Sequence, residues 1–66
     1  MKRMYVIKKG NRYVADANLD NSFTRNINKA YVSWNKSNVK RLSNPDKGEI
    51  VVKVSRNKTG ELVEVN

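Results

Sequence analysis

The chain has no cysteine, and in a domain of sixty-six residues that removes both the disulfide framework and the thiolate zinc site that stiffen small folds. A domain this size buries only about 60% of the surface its unfolded chain exposes, so packing alone must hold a thin core. Deep pockets of roughly 300 Å³ or more belong to larger folds. Binding on an open face, or across a homodimer that would enlarge the core, is the expectation. Histidine is absent as well, which takes away the commonest general base along with the best nucleophile. The chain reads as non-enzymatic, with no cofactor. No apolar run approaches the roughly 18 residues that span a bilayer, and residues 1–14 are too poor in apolar side chains for a signal peptide. The expected setting is the cytoplasm, with no membrane partner.

Charge is segregated along the chain. The first fifteen residues carry Lys2, Arg3, Lys8, Lys9 and Arg12 without an acid, and residues 21–45 carry Arg25, Lys29, Lys36, Lys40 and Arg41, again without one. The acids are Asp16, Asp20, Asp46, Glu49, Glu61 and Glu64. The formal net charge of +8 therefore resolves into a basic front two thirds and a nearly neutral tail, which points to an anionic partner.

Met4-Tyr5-Val6-Ile7 and Tyr13-Val14-Ala15 are rich in β-branched and aromatic residues and flank Lys8-Lys9-Gly10-Asn11, whose Gly-Asn pair takes positive φ readily. They predict a hairpin. Ile50, Val52 and Val54 alternate with Val51, Lys53 and Ser55, the period of a half-buried strand. Residues 56–60 turn the chain into a last strand at Leu62-Val63-Glu64-Val65, with Val63 and Val65 sharing a face. The middle is ambiguous, because Phe23, Ile27, Tyr31 and Trp34 recur at helical spacing while Ala30, Val32 and Trp34 recur at strand spacing. The Asn-rich stretch 18–28 disfavours a long helix, since its side chains compete for backbone hydrogen bonds, and reads as a loop with one helical turn. Tyr31-Val32-Ser33-Trp34 reads as a short strand. Residues 35–43 read as a helix with an Asn or Ser cap, inward Val39 and Leu42, and a stop before Asn44-Pro45. The result is one α+β domain over residues 1–66, a small antiparallel sheet of four or five strands with one short helix, in the order ββ(β)αββ. Phe23 and Trp34 are expected in its core. Tyr5 with Ile7, or Met4 with Val6, is expected outside if only one sheet face is covered.

The segments Met4-Tyr5-Val6-Ile7-Lys8-Lys9-Gly10-Asn11-Arg12-Tyr13-Val14, Lys29-Ala30-Tyr31-Val32 and Gly48-Glu49-Ile50-Val51-Val52-Lys53-Val54 together resemble short open reading frames of phages and prophages of low-GC Gram-positive bacteria. The resemblance implies a setting and supplies no catalytic or binding residues.

Two motifs touch on chemistry. Ser37-Asn38-Val39-Lys40 has the Ser-x-x-Lys spacing of penicillin-recognising enzymes, but without their surrounding site it reads as a cap followed by a solvated lysine. Asp16-x-Asn18-x-Asp20-Asn21 reproduces the first ligands of a calcium loop, yet Ile27 stands where the bidentate glutamate belongs and Asn21 replaces the turn glycine. It reads as a connecting loop, with no metal assigned. The remaining acids read as solvated charges near turns and edges. The basic set is the functional signal, because Lys and Arg neutralise phosphates and release counterions from a polyanion. The expected function is nucleic-acid binding with little sequence specificity, positioned by Lys8, Lys9, Arg12, Lys36, Lys40 and Arg41, with Tyr13 as a base-stacking residue. The alternative is a phage-type accessory protein that binds and modulates an acidic host protein through an apolar patch at Trp34, Tyr31 and Val32. A third reading is self-association through the edge at residues 61–65.

Overall fold

The computed structural model describes residues 4–16 and 22–65. Strands β1 (Met4–Lys9), β2 (Arg12–Val14) and β3 (Phe23–Thr24) precede a 3₁₀ turn at Ile27–Lys29 and helix α1 (Lys36–Leu42). A second 3₁₀ turn at Pro45–Lys47 leads into β4 (Glu49–Arg56) and β5 (Leu62–Glu64). The strands form one antiparallel sheet in the order β3-β2-β1-β4-β5. The α+β expectation of a small antiparallel sheet of four or five strands with one short helix is met, with five strands.

Local chemistry accounts for the turns. Lys9 faces Arg12 across the first hairpin, and Gly10 between them has φ 60, a left-handed value that a residue without Cβ adopts at no steric cost. The loop between β4 and β5 is built on Asn57, whose Oδ1 accepts hydrogen bonds from the amides of Thr59 and Glu61, both at 3.0 Å, and from the Thr59 hydroxyl. Helix α1 starts at Asn35, whose side chain accepts from the Asn38 amide at 3.2 Å, as an N-cap should. It ends at Ser43, ahead of Asn44-Pro45.

The core has two sides. Val6 and Ile7 are consecutive in β1 and point to opposite faces, yet both are buried, at 0% and 1% exposure. On one face Val6, Tyr13, Val54 and Leu62 pack together under Ile27, Ala30 and Val32. On the other, Ile7, Val14 and Val39 pack with Tyr5, Phe23, Tyr31 and Val51, and α1 is the cover. A strand covered on both sides reads as a continuous apolar run, which is why Met4-Tyr5-Val6-Ile7 does not alternate. The condition under which one of those pairs would lie outside, a sheet covered on one face only, is not met.

The middle of the chain departs further from its sequence reading. The third strand is Phe23–Thr24, pairing with Val14 and Tyr13, inside the stretch assigned to a loop; the helical turn predicted there is the 3₁₀ turn at Ile27–Lys29. The predicted strand at 31–34 is reduced to a single bridge, in which Ser33 exchanges two backbone hydrogen bonds with Tyr5. Trp34 lies just beyond that bridge, in the bend into α1, and is 60% exposed instead of buried. Its match to both periods came from neighbours that do reach the core, and the backbone turns before it could follow them. Leu42, in the last turn of α1, is likewise outside, because the short helix makes its deep contact through Val39 alone. In β5 the inward residue is Leu62, with Val63 turned out.

The outer edge of β5 is not bare backbone. The Leu62 amide, which points away from β4, donates to Asn28 Oδ1 at 2.8 Å, so the 3₁₀ turn lies along the strand that had been read as open to self-association.

Candidate nucleic-acid interface

Strand parity sorts the basic residues. Lys8 shares a face with Met4 and Val6, whereas Lys9 shares the other with Tyr5 and Ile7. Pairing of Lys9 with Arg12 sets these two cations side by side on the face that carries α1. Their aromatic neighbour is Phe23, whose ring centre lies 5.4 Å from Lys9 Nζ, within cation–π range. On α1, burial of Val39 turns Lys36, Lys40 and Arg41 outward, and all three are exposed. Arg41 donates to Asn38 Oδ1 at 2.8 Å, one turn back on the helix. Lys36 Nζ lies 5.9 Å from the Tyr5 ring centre, and Tyr5 faces the exposed Lys53 across the β1–β4 ladder.

Five of the expected positioning residues, Lys9, Arg12, Lys36, Lys40 and Arg41, are thus on the helix-bearing side, joined by Lys53. Lys53 was missed from the sequence, although its alternation with Val52 and Val54 already assigned it to this face. One carboxylate there is Glu49, paired in register with Lys9; its Oε1 accepts from the Asn44 amide at 3.0 Å, so it braces the entry to β4.

Lys8 and Tyr13 do not join them. They are directly opposed in the β1–β2 pair and lie on the other face, where both reach Glu64 of β5. Lys8 Nζ is 2.8 Å from Glu64 Oε2, and the Tyr13 hydroxyl donates to the same oxygen at 2.5 Å. The two hydrogen bonds, Lys8's foremost, hold the Glu64 carboxyl below its ordinary value of 4.5. In return the carboxylate, by accepting that hydrogen bond, and burial of the ring push the Tyr13 phenol up to about 12. The Tyr13 ring is 8% exposed, so no base can stack on it. The sequence reading of Tyr13 as a stacking residue is corrected; Glu64 is exposed at the sheet edge, as read, and is engaged there by Lys8 and Tyr13. Adjacent strand residues point to opposite sides, and a basic run in a hairpin cannot present all its members to one ligand.

Ser37 lies in the first turn of α1 and is exposed, with Asn35 taking the cap. The loop that resembles a calcium site, Asp16 to Asn21, falls mostly outside the described residues. Among the described residues, no three His, Cys, Asp or Glu side chains come together as metal ligands, and no helix is long and apolar enough to cross a membrane. The chain matches no protein-family model, no curated protein and no solved structure.

Proposed function

We propose that this protein binds nucleic acid through the helix-bearing side of its sheet, without catalysis and with little sequence specificity, in the cytoplasm. The observation that supports the reading is the gathering of Lys9, Arg12, Lys36, Lys40, Arg41 and Lys53 on one side, while Lys8 is engaged by Glu64 on the other. Exposed Lys and Arg contact phosphates, which position a polyanion without reading its bases. If five cations neutralise five phosphates of a duplex, log affinity falls against log salt with a slope of about −4.5. Titrating the purified chain into labelled DNA and RNA at several salt concentrations tests this, and a slope near zero rejects it.

A second reading is favoured by the apolar residues at both ends of α1, Trp34 and Leu42, which are 60% and 43% exposed. Here the same cations steer the chain to an acidic host protein, in the phage-like setting that the sequence resembles, and Trp34 anchors the contact. Binding to such a protein that survives high salt, with no nucleic-acid affinity at low salt, distinguishes it.

A further inference from the structure

Resting on the nucleic-acid reading, we infer that the ligand class is double-stranded nucleic acid, gripped on the phosphates of both strands by two separated groups of cations. The groups stand at the two ends of one pinned segment. Ser33 exchanges backbone hydrogen bonds of 2.8 and 3.1 Å with Tyr5, near the start of β1. Asn44 meets Glu49, the register partner of Lys9 at the end of β1: its amide donates to Glu49 Oε1 at 3.0 Å, and its carbonyl accepts from the Glu49 amide at 3.2 Å. Helix α1 lies between Ser33 and Asn44 and therefore runs along β1 in the same direction, with Val39 packed with Ile7 midway.

Each end carries its own cations. At the first, Lys36 Nζ lies 5.9 Å from the Tyr5 ring centre, and Lys53 is the register partner of Tyr5. At the second, Lys9 and Arg12 are paired across the first hairpin, and Lys40 and Arg41 occupy the last turn of α1. All of these cations are exposed. The second group also holds the carboxylate of Glu49, which is engaged by the Asn44 amide and outnumbered by its neighbours. Four residues of strand separate Tyr5 from Lys9, about 13 Å. The major groove of a B-form duplex is about 12 Å wide, so the two backbones that flank a groove stand at the separation of the two groups.

The rings of this side argue the same way. Tyr5, Phe23 and Tyr31 pack against the core cluster beneath α1, and lysine ammonium groups lie over Tyr5 and Phe23. Single strands are held by rings that stack their bases, and these three are committed to the core. A flexible strand must also be ordered to match a fixed array of cations, whereas a duplex presents its phosphates already placed. Charge adds to the preference, since the salt slope per phosphate is steeper for a duplex, about −0.9 against −0.7.

The full chain is titrated with labelled DNA and RNA duplexes, and with their separated strands, at several salt concentrations. With five contacts the two slopes differ by about 1, so a duplex should gain about tenfold over its single strand for each tenfold dilution of salt. Whichever duplex binds more tightly identifies the nucleic acid. Lys36→Gln combined with Lys53→Gln should reduce the duplex slope by about 1.8. On a DNA duplex with one strand of uncharged methylphosphonate linkages, the larger group takes the charged strand, and the same double variant should match the wild type. A loss there equal to that on the ordinary duplex overturns the grip on two strands. Single strands that bind as tightly as duplexes overturn the ligand class and leave the polyanion reading standing. If no probe binds at low salt, both fail together.

Discussion

The two faces of the sheet use similar residues to opposite ends. Lys8 and Lys9 are adjacent, and one residue of parity separates a lysine locked to Glu64 from one that stands exposed beside Arg12. On the first face the polar groups consume each other: Lys8 and Tyr13 converge on Glu64, and Asn28 closes on Leu62. On the second, the carboxylate Glu49 is engaged by the Asn44 amide, and the cations extend outward. Where the few acids land, more than where the many bases lie, decides which charge remains available to a partner.

The comparison breaks first at the core. Ile7→Ala removes the buried side chain under α1 and should lower the unfolding free energy by about 2–5 kcal/mol, a large share of what so small a domain has. Urea denaturation measures it, and a loss under ~1 kcal/mol would mean that the helix-bearing face is not packed. Next comes Tyr13→Phe, which removes one hydrogen bond to Glu64 and keeps the ring; the expected cost is about 0.5–1.5 kcal/mol, with polyanion binding unaltered.

Acid and alkali sharpen the same contrast. Glu64 has a folded value below its unfolded 4.5, so its contribution is present above 4.5 and lost as pH falls through the folded value. Tyr13 is raised from 10.0 to about 12, so its contribution is present below 10.0 and lost as pH climbs through that window. Stability curves for wild type and Glu64→Gln should differ by a constant amount across neutral pH and converge at both extremes. A difference that does not vary with pH would remove the Glu64 lock from the account.

The smallest effect is the most discriminating. Lys9→Gln should reduce the salt slope of duplex binding by about 0.9, and Lys8→Gln should leave it unchanged. Equal slopes for the two variants would merge the faces.

Much of the fold was legible because its signals are local. Gly10-Asn11, the Asn35 cap and the Asn44-Pro45 stop act within a few residues of themselves, and the two hairpins and α1 lie where those residues predict. Strand β3 was not legible: two residues carry no period, and Phe23–Thr24 is a strand only because Val14 and Tyr13 lie beside it. Trp34 was misplaced because two periodicities could both claim it, and a backbone bridge to Tyr5 arbitrates between them. The fate of Lys8 and Tyr13 was hidden in the same way, since Glu64 lies 56 and 51 residues away in sequence. Five members of the basic set survive as a surface because parity and helix direction are themselves local properties.

The hydrogen bond from Leu62 to Asn28 also bears on how the molecule opens. An outward amide on a terminal strand normally exchanges with solvent as fast as the strand frays, but this one is covered by a side chain from the middle of the chain. Its deuterium uptake is then governed by release of the 27–29 turn, and the last strand and that turn form one cooperative unit of local unfolding. A three-residue strand thereby gains a protection that its own length would not provide.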